Sequence, residues 1–133
     1  PKVEDVLKRK WEFLLDLNLE LIFLFRDYLG IDTQIKLSSE IPTTIKTVSC
    51  PEERLVEICQ FLDLNIFYEG LAGKNYINES FFSQSEIQVE FQEYKHPVYR
   101  QLFGKFVSHL SCIDLIFNEG PDSLQILSTR MRQ

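Results

Sequence analysis

From Glu4 to Tyr28 the apolar side chains Trp11, Leu14, Leu15, Leu21, Ile22 and Phe25 recur at helical steps, Leu29 follows, and Gly30 comes next as a stop. This spacing predicts one long helix. Leu17, Leu19, Phe23 and Leu24 fill much of the remaining circumference. A helix apolar nearly all round must be covered on more than one side. In a chain of 133 residues that cover comes from a single core, from a second copy forming a homodimer, or from a missing N-terminal half packed on helix 4–28. Asn18 lies on the core stripe between Leu14 and Leu21 and is expected to be a satisfied buried amide.

Shorter elements follow. Thr33-Gln34-Ile35-Lys36-Leu37 alternates like a strand. Pro51-Glu52-Glu53, with Ser49 as the expected cap, opens a helix that buries Leu55, Val56, Ile58, Cys59, Phe61 and Leu62 and ends near Asp63. Asn65-Ile66-Phe67-Tyr68 reads as a strand running into a glycine loop, Asn78 to Ser85 as a helical turn, and Ile87 to Phe91 as a half-buried strand. His96-Pro97 begins a loop. Helical patterns resume near Ser108 and, past Gly120-Pro121, from Asp122 to about Thr129. The expected fold class is α/β: a small layered domain with about three short, partly parallel strands flanked by helices, and a long N-terminal helix. The helix between the strands at 33–37 and 65–68 predicts a parallel crossover there. Residues 1–133 are expected to form a single domain.

Fourteen Lys and Arg stand against twenty Asp and Glu, a net charge of −6, which argues against a phosphate-tracking nucleic-acid surface. No apolar run approaches the ~20 residues of a membrane span, so neither nucleic acid nor membrane is an expected partner. The chain opens on Pro1, which reads as a processed chain or the C-terminal part of a longer protein. Cys50, Cys59 and Cys112 form no CxxC pair and read as reduced, mostly buried side chains of a cytoplasmic protein. With only His96 and His109 as histidines, no metal site is indicated.

Chemistry could sit in three places. Ser111, Asp114 and Asn118 share one face of the apolar run from Ser111 to Gly120. Polar groups there either hold a neighbouring loop or face a polar cavity, because burying them without partners costs about 1–3 kcal/mol or more each. Gly70-Leu71-Ala72-Gly73-Lys74, between strand and helix, can converge N–H groups and a lysine on an anion, or it is a tight turn with a surface lysine. Asn75 follows where a Walker loop needs Ser or Thr. His96, with Tyr99, Arg100 and Gln101 close by, is the better histidine for proton transfer.

Tyr68-Glu69-Gly70-Leu71-Ala72-Gly73-Lys74-Asn75-Tyr76, then Ile87-Gln88-Val89, then His96-Pro97-Val98-Tyr99-Arg100-Gln101, then Leu110 to Pro121 resemble, in order and spacing, the C-terminal half of the bacterial WbqC-like family over about residues 15–125. Asn18, Gly30-Ile31 and Ser38-Ser39-Glu40 also fall at positions similar to that family's. The resemblance implies a cytoplasmic bacterial protein of surface-polysaccharide (O-antigen) precursor synthesis. A transferase or ligase of nucleotide sugars or their acyl or aminoacyl groups is implied first, and a non-catalytic binding or assembly module second. In the first case His96 and Asp114 would be catalytic, and Gly70, Gly73, Lys74, Tyr76, Tyr99, Gln101, Ser111 and Asn118 would bind a small anionic substrate. No cofactor is specified. The family's N-terminal Gln-Pro, Tyr-Leu-Pro and Gly-Tyr-Phe stretch, which resembles a nucleotide-binding turn, is absent from this sequence.

Overall fold

A computed structural model describes residues 3–128. The elements are α1 (Val3–Leu7), α2 (Leu14–Tyr28), α3 (Thr43–Lys46), α4 (Pro51–Phe61), β1 (Ile66–Gly70), α5 (Glu79–Ser83), β2 (Gln88–Gln92), α6 (Cys112–Glu119) and α7 (Ser123–Ser128). Short 3-10 turns sit at Ser38–Glu40, Leu71–Asn75 and Gly120–Asp122. Mixed helix and strand place the chain among small α/β folds. It divides into two compact units, one built from residues up to Gln34 and from Lys95 onward, the other from Ile35–Tyr94.

In the Ile35–Tyr94 unit, α4 forms from local signals. Pro51 occupies its first turn, where no N–H is needed, and Glu52 and Glu53 meet the positive end of the helix dipole. Cys50, not Ser49, is the cap residue, and no side chain caps the helix. The helix ends through Asp63 in the left-handed region, with Leu64 N–H donating to the Cys59 carbonyl, a Schellman closure with Asp in the position glycine usually takes. Of the six residues expected on its buried face, Val56 and Cys59 are buried and Phe61 is exposed. Val56, Cys59, Phe82 and Ile87 form the core, and Phe67 stacks on Phe82 at 5.1 Å.

The sheet has two strands among the described residues, β1 and β2, paired parallel from Ile66 opposite Gln88 to Gly70 opposite Gln92. The crossover therefore runs through Leu71–Asn75 and α5, not through α4. Residues 33–37 form no strand. Alternation suits a pleat, but a strand also needs a partner for its backbone groups. Here the Leu37 N–H is instead taken by the Glu40 carboxylate at 3.2 Å, which folds the chain into a turn.

In the other unit, the expected helix over 4–28 is broken at residues 8–13. Trp11 Nε1–H donates to the Val6 carbonyl at 2.9 Å, and Arg9 reaches Glu20 at 2.7 Å, so α1 folds back on α2 and Val6 is fully buried. Tertiary burial outweighs an uninterrupted ladder. α2 carries no fully buried residue, and Asn18 is exposed rather than buried. It stops as its glycine requires: Gly30 takes φ +66, Ile31 N–H donates to the Arg26 carbonyl and Gly30 N–H to that of Asp27. α6 starts at Cys112, later than Ser108, because His109 at φ +61 interrupts any earlier helix. Cys112 is exposed and Cys50 half-buried, so Cys59 alone fits the buried-thiol expectation. The break after α6 is present, with Gly120 at φ +53 before α7. Thr129 lies outside the described residues.

Candidate functional site

Ser111 caps α6, Asp114 and Asn118 lie on it, and the loop before that helix comes to meet Asp114. Ser111 is the cap residue, its Oγ accepting from Ile113 N–H at 3.4 Å. Asp114 is the acceptor at the centre. Its Oδ2 takes the Tyr99 hydroxyl at 2.7 Å and the Gln101 amide at 2.8 Å, and its Oδ1 takes Asn118 Nδ2 at 3.2 Å. Asn118 Nδ2 also donates to the Asp114 carbonyl at 2.7 Å. Charge-assisted bonds of this kind are the strong ones.

Gln101 does more than reach Asp114. Its Nε2 donates to the Val107 carbonyl at 3.0 Å and its Oε1 accepts the Val107 N–H at 2.9 Å. One amide thus closes the segment from 101 to 107 as a neighbouring strand would, and only this orientation of the amide suits both Val107 groups. Glu119 adds a further tie, accepting the Arg100 N–H at 2.9 Å. No buried side-chain polar atom among the described residues lacks a partner.

Tyr99 is buried, 8 % exposed, and its ring meets Phe106 edge to face at 5.4 Å. The half-buried His96 ring lies 5.9 Å from Phe106 and 4.8 Å from the His109 ring. His96 Nδ1 sits 2.7 Å from the Pro97 carbonyl. A carbonyl only accepts, so in the neutral ring Nδ1 carries the proton and Nε2 bears the lone pair. His109 holds its left-handed backbone next to Ser108, whose Oγ is 2.9 Å from His109 Nδ1. Sequence reasoning did not select Phe106, His109 or Glu119; the aromatic and acidic residues that follow a polar loop were the available signal.

The glycine loop belongs to the Ile35–Tyr94 unit. Gly70 N–H donates to the Glu69 carboxylate at 2.9 Å, and Lys74 Nζ pairs with Glu93 at 3.3 Å while lying over the Phe91 ring. Two acids thus stand where an anion would. Gly73 is buried, and a Cβ there would run into Glu69, Phe91 and Ile77, so the glycine serves close packing. Tyr76 is 64 % exposed.

A cavity of about 340 Å³ opens in the other unit, lined by Val3, Glu4, Leu24, Phe25, Tyr28 and Phe117. It is mostly apolar. Among the described residues no cluster of His, Cys, Asp and Glu could hold a metal ion, and no helix is long and apolar enough to cross a membrane.

The loop ties on α6 coincide with the run of motifs that carried the resemblance, and the WbqC-like protein family matches residues 1–126. The chain belongs to that family. The match spans nearly the whole chain, so the narrower assignment to a C-terminal half does not stand. This WbqC-like chain is 31% identical over 113 residues to the uncharacterized protein Rv1507c of Mycobacterium tuberculosis, covering 82% of this chain and 47% of that relative. It therefore spans about half the length of the curated relative it matches. No solved structure matches the chain.

Proposed function

We propose that this WbqC-like chain is a binding module of bacterial surface-polysaccharide (O-antigen) precursor synthesis, working in the cytoplasm, with the loop from Lys95 to Ser111 as its recognition element and Asp114 as the anchor. One observation carries this reading: the Asp114 carboxylate already accepts from Tyr99, Gln101 and Asn118. A carboxylate so engaged holds a loop rather than taking a proton from a substrate. The ligand is a small anion, because no Asp or Glu occurs from Tyr94 to Ile113 while Lys95, Arg100 and Lys105 do.

The Nδ1 contact of His96 favours a second reading, a transferase or ligase acting on nucleotide sugars or their acyl or aminoacyl groups. There Nε2 takes the proton of an acceptor hydroxyl or amine as that atom bonds to the transferred group, and the departing group receives it. A thermal-shift screen against nucleotides, nucleotide sugars, acyl-CoAs and amino acids tests both. Stabilisation by one anionic class supports a binding site; turnover of that class, lost in His96→Asn with binding kept, selects the transferase. No shift from any class overturns both.

A further inference from the structure

The loop that Asp114 holds down at its base turns an apolar tip outward. Phe103 is 88 % exposed, Val98 72 % and Leu102 70 %. Large apolar side chains this exposed are costly unless something covers them. The tip is also built rather than slack: the Gln101 amide fixes both backbone groups of Val107, and Gly104 at φ +70 makes the turn. Along the loop the side-chain charge has one sign. Lys95, Arg100 and Lys105 are all exposed, in a 20-residue stretch without an acid, although the whole chain carries −6. Two acids reach the loop from α6, and both are spent on it: Glu119 on the Arg100 N–H, Asp114 on Tyr99 and Gln101.

We propose that this tip is a peripheral contact with an anionic bilayer surface, in which Leu102 and Phe103 enter the headgroup–acyl boundary while Lys95, Arg100 and Lys105 pair with lipid phosphates. A small convex apolar tip needs a matching hollow in a protein partner, whereas a fluid bilayer accommodates it without one. Cations flanking the tip complement the negative surface potential of such a membrane, and the combination of one apolar and one electrostatic signal is what stable peripheral attachment requires. The contact differs from a span and departs from the expectation that no membrane is a partner. It goes beyond the binding reading, since a soluble anion can be bound with the tip in water.

Cosedimentation of the full chain with phosphatidylcholine vesicles, with and without phosphatidylglycerol, tests it. The chain pellets with the anionic vesicles, and raising the salt releases it. Phe103→Ser lowers the partition about tenfold, and Lys105→Glu lowers it by about fivefold or more. Both residues are exposed, so an unchanged melting curve accompanies each. A chain that stays in the supernatant with both vesicle types, as one using the tip for a protein pocket would, overturns the proposal. So does a partition that Phe103→Ser leaves unchanged.

Discussion

Tyr99 donates its hydroxyl hydrogen to Asp114 Oδ2 at 2.7 Å across 15 residues of sequence. That bond sets the orientation of a buried ring and, through Gln101 on the same oxygen, the path of the loop. Removing the carboxylate breaks the bonds that the buried Tyr99 and the part-buried Gln101 make to it. Asp114→Ala is expected to cost about 2 kcal/mol in urea melts. Asp114→Asn, which keeps one accepting oxygen, costs less.

Gln101→Ala removes both bonds to Val107 without touching the core. The expected result is faster hydrogen exchange at the Val107 amide and about tenfold faster tryptic cleavage at Lys105, since local opening controls both. Global stability falls less than in Asp114→Ala, because the two Val107 bonds are exposed and Asp114 keeps Tyr99 and Asn118 when its part-buried bond to Gln101 is lost.

Gly73→Ala places a methyl group against Glu69, Phe91 and Ile77. Overpacking at such a site costs about 1–3 kcal/mol. A thermal melt that falls on Gly73→Ala but holds on Gly70→Ala, where nothing lies in the way of a Cβ, checks the assignment of Gly73 to packing.

The cysteines differ in reach. Cys112 is exposed, Cys50 half-buried and Cys59 buried, so a disulfide-exchange reagent labels Cys112 first and Cys59 only after denaturation.

Burial pushes the Cys59 thiol above its ordinary pKa. The folded protein therefore holds this proton more tightly than the unfolded chain does. The associated stability is complete below the unfolded pKa of about 8.5 and declines as the pH climbs toward the folded value. Urea midpoints measured from neutral to alkaline pH show this decline, and Cys59→Val removes the portion due to the thiol.

The features legible in the sequence were those written in neighbouring residues. Pro51, Glu52 and Glu53 specify the start of α4 without help from elsewhere, and Gly30 and Gly120 mark real ends. The three-and-four spacing of Ser111, Asp114 and Asn118 likewise placed them on one face, beside a loop whose Tyr99 and Gln101 were already suspect. What escaped depended on distant partners. The break before α2 is set by the Trp11 indole and by Arg9 reaching Glu20. Thr33 to Leu37 has the pattern of a strand and no strand to join. The glycine loop reads as an anion cradle or as a tight turn with a surface lysine, and nothing local reveals that Glu93 will pair with Lys74.

The parallel register of the small sheet, in which Ile66 faces Gln88, governs how this unit is put together. A hairpin closes with a two-residue turn, but parallel neighbours must wait for everything between them. Here that includes the Leu71–Asn75 turn, α5 and Phe82, whose ring stacks on Phe67 of β1. Strand pairing thus becomes a late event that reports on the finished crossover.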